Sequence, residues 1–208
     1  MKKLDIEHWE RKEIYDYMTT LSNPFYAVSF NIDVTNIYEY AHRKGLSFYY
    51  SLIFLATQAF NSVPAFLNDI QNGEIIVLDH RSPSFCDIRK NSEAFYIVNL
   101  LLGNNIDDFS RRAREASKAS CSLFPKDNFG KEAWIYFSCI PWVDLTCATN
   151  ERDFNKDDTV PRITWGKYIE KDGKKTLNIS LEVNHRFIDG YHIGQFEKQL
   201  TERIARLK

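Results

Sequence analysis

The sequence lacks an excess of charge of one sign, and this excludes a large class of partners. Its 27 Lys and Arg residues are balanced by 28 Asp and Glu residues, so the formal net charge is −1. Proteins that bind nucleic acids concentrate basic residues on one face or along one helix, whereas here the basic residues are scattered. We therefore expect no nucleic-acid partner.

Long apolar runs are also absent. The longest one, residues 52–56, is followed directly by Thr57 and Gln58, and it is far shorter than the roughly 20 residues that span a bilayer. Residues 1–5 (M-K-K-L-D) lack the apolar stretch of a secretory signal. We therefore expect a soluble, cytoplasmic protein with no membrane partner.

Cysteine is sparse, and its spacing argues against a metal site. The four cysteines are Cys86, Cys121, Cys139 and Cys147, and no two of them form a C-x-x-C pair. None of the five histidines has a partner at metal-ligand spacing. We expect reduced, structural thiols, as in cytosolic proteins, and no bound metal.

The composition is otherwise that of a globular domain with many aromatic side chains. Hydrophobic residues make up 44% and charged residues 26% of the chain, which is ordinary for a soluble domain. A length of 208 residues without repeats or linkers favours one domain over residues 1–208. The 15 Phe, 11 Tyr and 4 Trp are explained by core and interface filling, with ligand contact as the alternative for a minority.

Apolar periodicity predicts helices and strands that are interspersed along the chain. Helices are expected near residues 8–19, 34–43, 47–61, 105–121 and 190–207. Strands are expected near residues 25–33, 66–70, 74–78, 84–89, 94–100, 133–140, 142–147, 163–170 and 176–184. Since these elements do not follow a strict βαβ alternation, the predicted fold class is α+β with a largely antiparallel or mixed sheet.

The stretch of residues 183–190, V-N-H-R-F-I-D-G, carries the clearest chemical signal. It lies where a predicted strand meets a predicted helix, with His185 near the strand end and Asp189 at the turn. A histidine held there can take a proton from a hydroxyl near neutral pH. A core histidine beside a turn is the structural alternative, and an H-x-x-x-D-G string arises by chance in about one chain of this length in a hundred.

This string resembles the signature near the C-terminus of chloramphenicol acetyltransferases and of dihydrolipoamide acyltransferases. Four further segments are similar to the first family in order and spacing, and together they cover essentially the whole chain. They are residues 9–13 (W-E-R-K-E, like W-x-R-[KR]-E), 48–49 (F-Y, like F-Y-P), 138–143 (S-C-I-P-W-V, like S-x-x-P-W-V) and 163–168 (I-T-W-G-K-Y, like T-x-[GA]-K-Y).

The resemblance implies an acetyl-CoA-dependent O-acetyltransferase that works by direct transfer to a small-molecule hydroxyl acceptor. His185 would deprotonate the acceptor hydroxyl, and Ser138 would donate a hydrogen bond to the oxyanion of the tetrahedral intermediate. Thr164 would support that intermediate through a hydrogen bond or a bound water. Asp189 would pair with Arg11 and hold the histidine loop.

The same resemblance implies further site residues and an assembly. Tyr49, Lys167 and Tyr168 match positions that line the coenzyme A channel. The implied fold is a two-layer sandwich, a mixed sheet with helices on one side. The implied assembly is a homotrimer with each active site between two subunits, His185 coming from one subunit and Ser138 from its neighbour.

The sequence departs from the chloramphenicol enzymes mainly on the acceptor side. Most of those enzymes have His-His at the motif, but Asn184 precedes His185 here, and dihydrolipoamide enzymes often have Asp-His-Arg. We expect an altered or broadened acceptor because large apolar groups are missing from the predicted pocket. The residues assigned to that pocket are Tyr17, Met18, Pro24, Ala148 and Asn150.

Two alternative functions stay open at this point. One is a free-standing catalytic domain of the dihydrolipoamide type, although the sequence has no lipoyl-like segment or linker. The other is a trimeric binding protein that kept the fold without turnover. The presence of both His185 and Ser138 argues against the second, because a binder has no need of a base and an oxyanion donor.

Overall fold

A mixed seven-stranded sheet organises the chain in the computed structural model, which describes residues 1–89, 91–120, 123 and 133–208. The strands of these residues are β1 (Lys2–Lys3), β2 (Phe25–Asp33), β3 (Asn68–Gln71), β4 (Glu74–Val77), β5 (Ser82–Ile88), β6 (Phe95–Asn99), β7 (Trp134–Cys139), β8 (Arg162–Trp165), β9 (Ile169–Lys171) and β10 (Lys174–Asn184). The helices are α1 (Lys12–Thr20), α2 (Thr35–Arg43), α3 (Phe48–Asn61), α4 (Ile106–Ala119) and α5 (Gly190–Ala205), with a 3₁₀ turn at Pro64–Leu67.

The large sheet has the order β2-β10-β8-β7-β5-β6, and β9 extends the start of β10. Strand β10 is antiparallel to β2 and β8, whereas β7 runs parallel to both β8 and β5. Strands β1, β4 and β3 form a separate small sheet. The prediction of an α+β fold with a mixed sheet is therefore confirmed.

One face of the large sheet packs on the helices. Alternate residues of β10, from Leu177 to Val183, are at most 1% exposed, as expected for a strand face that lies on a core. Helix α3 packs against that face through Tyr49, whose ring contacts those of Phe85 and Trp165 at 6.0 and 5.8 Å. Helices α2, α4 and α5 cover the remaining sides of α3. This agrees with its sequence, which is apolar on nearly all sides.

The opposite face of the sheet carries a row of small polar side chains. Ser138 of β7 is in register with Thr164 of β8, which is in register with Ser180 of β10. The hydroxyl of Ser180 lies 2.8 Å from that of Ser29 on β2. We call this the outer face. It positions Ser138 away from the helices.

The predicted strand at residues 142–147 is wrong. Residues 141–143 form a turn in which the amide of Val143 donates to the carbonyl of Ile140 at 3.2 Å. Pro141 has no N–H to contribute to a ladder, and the Trp142 side chain points outward with 71% of its surface exposed. The apolar residues that suggested a strand are therefore not part of the core.

Two other boundaries were misjudged for local reasons. Helix α1 begins at Lys12 rather than His8, because residues 6–12 form turns closed at the carbonyls of Ile6 and Trp9. Phe66 belongs to a 3₁₀ turn that begins at Pro64. The remaining predicted elements agree with the structure to within about two residues, the usual uncertainty of element ends; Cys121, the last residue of the predicted fourth helix, lies outside the described residues.

Gly166 ends β8 and splits the strand that was predicted for residues 163–170. A β-carbon there would lie 2.9 Å from the amide nitrogen of Leu145 and would also meet the carbonyl oxygen of Val143. The backbone of Lys167 then turns to donate to that carbonyl at 2.7 Å. This close approach fixes the turn of residues 141–145 beside the end of β8.

Within the described ranges, Cys86, Cys139 and Cys147 are free thiols. No helix of those ranges is long and apolar enough to cross a membrane. Nor do these ranges hold a group of three or more acidic, histidine or cysteine side chains arranged to bind a metal ion.

Candidate functional site

His185 is the first residue after β10, in the turn that leads to α5. Its backbone N–H donates to the carbonyl of Pro24 at 2.7 Å, which ties the turn to the start of β2. Its imidazole packs against the ring of Tyr26, with 4.2 Å between the ring centres. The orientation of the imidazole is therefore restricted by the neighbouring strand.

Asp189 fixes the far end of this turn as the N-cap of α5. Its carboxylate accepts from the amide of Tyr191 at 3.0 Å, and its own amide donates to Nδ1 of His192 at 3.1 Å. The same carboxylate forms an ion pair with Arg11, although the two residues are 178 positions apart. The structure thus brings together the two residues that were expected to hold the histidine loop.

Burial is the main electrostatic influence on the imidazole. It lowers the pKa of His185 below the ordinary value of 6.5; the charge of Arg11 lowers it further, while that of Asp189 opposes both. Burial also raises the pKa of Tyr26 to about 12, so the phenol stays protonated. A neutral imidazole near pH 7 is the form that can accept a proton.

Ser138 and Thr164 lie side by side on the outer face, on β7 and β8. Thr164 is 3% exposed, and its hydroxyl donates to Oδ1 of Asn150 at 3.0 Å. Because a hydroxyl has a single proton, Thr164 in this state offers only lone pairs to any further partner. Ser138 is half-buried and faces an open groove.

This groove has a volume of about 1200 Å³ and extends over β5, β6 and β7 to the start of α3. Its lining includes the three residues predicted to contact coenzyme A, which are Tyr49, Lys167 and Tyr168. Ser138 and Asn150 line it as well. The phenol of Tyr49 donates to the carbonyl of Cys86 at 2.6 Å, so this side chain is already fixed.

His185 does not belong to that groove in a single chain. Ser138 is level with Ser180 across two strand spacings, and His185 lies five residues beyond Ser180. With about 3.4 Å per residue and 4.8 Å per strand, the two Cα atoms are roughly 19 Å apart. In addition, His185 contacts Tyr26, and that ring packs on the helix side of the sheet.

The residues predicted for the acceptor pocket fall into two groups. Pro24 contacts His185 directly, and Tyr17 and Met18 lie on α1, close in sequence to Arg11. Ala148 and Asn150 form the second group. Their backbone amides donate to the Ser180 hydroxyl and to the Glu182 carboxylate, at 2.8 and 2.9 Å respectively. The structure therefore places Pro24 at His185, and Asn150 beside Thr164, the register partner of Ser138.

Sequence reasoning missed several side chains of this region. Tyr26 was assigned only to a strand, although the pairing of β2 with β10 brings it level with Val183. The carboxylate of Glu182 forms a buried ion pair with Arg152 at 2.7 Å. The alternation of polar residues along β10 is the signal that would have identified its outer face as a packing surface.

Comparisons with known proteins show the family and the fold of this chain. The family model described as chloramphenicol acetyltransferase matches residues 1–201. A chloramphenicol acetyltransferase from Staphylococcus aureus is 30% identical over 208 residues, covering 98% of this chain and 95% of that protein. A solved chloramphenicol acetyltransferase structure superposes with a TM-score of 0.86 at 25% identity, over 100% of both chains. A probable dihydrolipoamide acetyltransferase from Listeria monocytogenes, with a TM-score of 0.67 and 14% identity, covers 94% of this chain and 90% of its own, and so shares the fold.

Proposed function

The chain belongs to the chloramphenicol acetyltransferase family, and from this premise we propose that it transfers the acetyl group of acetyl-CoA to a substrate hydroxyl with His185 as the general base. The placement of His185 carries the proposal. Its turn is held by Pro24 and by the Arg11–Asp189 ion pair, and its imidazole packs on Tyr26. Such a histidine has the restricted orientation and the lowered pKa that a base needs.

In the proposed reaction His185 takes the proton of the acceptor hydroxyl as its oxygen attacks the thioester carbon. The C–S bond then breaks, the acetyl group stays on the acceptor oxygen, and the imidazolium returns its proton to the departing thiolate. No acetyl-enzyme intermediate is formed. Ser138 donates its hydroxyl hydrogen bond to the oxyanion, and Thr164, whose proton is engaged by Asn150, supports the site as an acceptor, for example of a bound water.

We further propose that the active site lies between two subunits of a homotrimer. The separation of roughly 19 Å between Ser138 and His185 supports this, because a base and an oxyanion donor must both reach one thioester. Large apolar side chains that are exposed in the single chain also favour association. They include Trp142 (71% exposed), Phe154 (68%) and Phe95 (52%).

The groove beside Ser138 is the proposed site of acetyl-CoA. Its volume of about 1200 Å³ is sufficient for a large co-substrate, and Tyr49, Lys167 and Tyr168 line it. Lys167 is exposed and would meet phosphate charge. The reaction as proposed uses no metal.

The acceptor differs from chloramphenicol in this proposal. Ala148 and Asn150 replace large apolar groups, and each lost apolar contact weakens binding by at most about 1.5–3 kcal/mol. Asn150 is also held in place, by the Glu182 carboxylate and by Thr164. This wall of the pocket is therefore more polar than the one that encloses the antibiotic.

We expect acceptor-dependent release of thiol from acetyl-CoA, but only weak use of chloramphenicol. The measurement is thiol release with chloramphenicol and with a panel of other hydroxylated acceptors, together with calorimetric titration of chloramphenicol. Failure of every acceptor would contradict acetyl transfer. Tight chloramphenicol binding, equal to that of the Staphylococcus aureus relative under the same conditions, would contradict only the altered acceptor.

The pH dependence of the reaction should follow the imidazole of His185. Because burial lowers its pKa below 6.5, the neutral base persists further into the acid range than an ordinary histidine does. We expect kcat/KM to be constant near pH 7 and to fall with an inflection below pH 6.5, as measured by thiol release. An inflection above pH 6.5 that is absent from the stability profile would contradict this assignment.

A further inference from the structure

Asn184, the residue before the proposed base, uses every hydrogen-bonding group of its amide within the protein. Its Nδ2 donates to the carbonyls of Lys156 and Asp158 at 2.8 and 3.0 Å. Its Oδ1 accepts from the amide and from Nε of Arg186 at 3.1 and 3.3 Å. The residue is 4% exposed, so these four bonds are made away from solvent.

Arg186, the residue after the base, is the second part of this arrangement. Its side chain is 2% exposed, and Nη1 and Nη2 donate to the carboxylate of Asp157 at 3.1 and 3.2 Å. The guanidinium also lies over the rings of Tyr15 and Phe187, 5.5 and 5.7 Å from their centres. A buried cation is tolerated when it is satisfied in this way.

The segment that both residues hold also reaches helix α1. The ammonium group of Lys156 donates to the carbonyl of Thr19 at 3.2 Å, in the last turn of that helix. Thr19 directly follows Tyr17 and Met18, which belong to the predicted acceptor pocket. We call Asn184, Arg186 and residues 156–158 the clasp, because together they join the base turn to the end of α1.

We propose that Asn184 and Arg186 are positioning residues that set the location of His185 relative to the acceptor-pocket end of α1. This inference rests on the proposed acetyl transfer. A neutral imidazole has one donor and one acceptor, so the histidine that chloramphenicol enzymes have before the base cannot make the four bonds of Asn184. In this chain the asparagine, Arg186 and residues 156–158 work as one set.

The test replaces Asn184 with histidine and compares it with Asn178→His. Asn178 lies on the same outer face of the same strand, six residues earlier, and its amide bonds only to Asn31 at 3.1 Å among the described residues. A misplacement of the base by about 1 Å can lower the rate about 100-fold. We expect Asn184→His to lower kcat at saturating substrates by about 10-fold or more, with the KM for acetyl-CoA within about twofold. Asn178→His should keep the native kcat.

Acetyl transfer by the native protein, and its loss in His185→Ala, are measured first with whichever acceptor is active. If the native protein transfers nothing, the proposed function has failed rather than the clasp. If transfer is present and Asn184→His keeps a kcat within about twofold of Asn178→His, the clasp is overturned. If Asn184→His does not fold, Asp157→Asn weakens the same clasp at a half-exposed site and should also lower kcat. In addition, Arg186→Lys should retain more activity than Arg186→Met.

Discussion

Replacing His185 with alanine is expected to lower kcat for acetyl transfer by about 10³- to 10⁴-fold, the upper part of the range for general-base catalysis. The imidazole is the proposed proton acceptor, and the water that would take its place is a much weaker base with no fixed position. The measurement is thiol release from acetyl-CoA at saturating acceptor. The KM for acetyl-CoA should change little, because Tyr49, Lys167 and Tyr168 are not altered.

The matched control is His8→Ala. His8 is a surface histidine whose side chain is 86% exposed and contacts Asp5, so its loss should leave kcat unchanged. Circular dichroism and the melting temperature establish that both variants are folded. A His185→Ala protein that is folded and retains more than a tenth of the native kcat would show that another group is the base.

Replacing Ser138 with alanine is expected to lower kcat by about 10²- to 10³-fold, which corresponds to about 2.7–4 kcal/mol of lost transition-state stabilisation. The hydroxyl faces the groove from β7, where it can meet charge that develops on the thioester oxygen. The control is Ser29→Ala, another outer-face serine, whose hydroxyl contacts only that of Ser180 among the described residues. A native-like kcat in Ser138→Ala would remove the serine from the mechanism.

The two inactive variants together test whether the site is shared between subunits. Refolding equal amounts of His185→Ala and Ser138→Ala chains together would give trimers in which about one site in four combines an intact histidine with a neighbour's intact serine. Activity should therefore return to about a quarter of the native value. Recovery that stays at the level of either variant alone would mean that both groups act from the same chain.

The elements of the fold were largely predictable from the sequence, because apolar periodicity depends on local geometry. The period of two in β10 and the amphipathic pattern of α5 are visible without tertiary information. Some errors arose from local turns, as at residues 6–12 and at Pro64, and one arose where a non-local contact decided the backbone. The strand predicted for residues 163–170 is interrupted because Gly166 lies against the backbone of Leu145, and residues 142–147 leave the sheet after Pro141.

The identity of the chemical groups was also present in the sequence. The H-x-x-x-D-G string, the serine before Ile140-Pro141 and the tryptophan–arginine segment near the N-terminus gave the family, because residue type and order are sequence properties. Contacts between side chains that are far apart in the chain cannot be read from residue type and order. The pairing of Arg11 with Asp189 was expected only through the resemblance, and the contact of Tyr26 with His185 was not foreseen.

Only the tertiary structure decided how these groups are distributed in space. Strand register places Ser138 level with Ser180, five residues before His185, and this offset is what supports the proposal of a site shared between subunits. The same register directs Glu182 and Asn184 to the outer face, where they hold residues 150–158. The sequence by itself determined which chemistry is possible, because that depends on functional groups. The fold determined where that chemistry can take place, because hydrogen-bonded register and burial depend on contacts between distant segments.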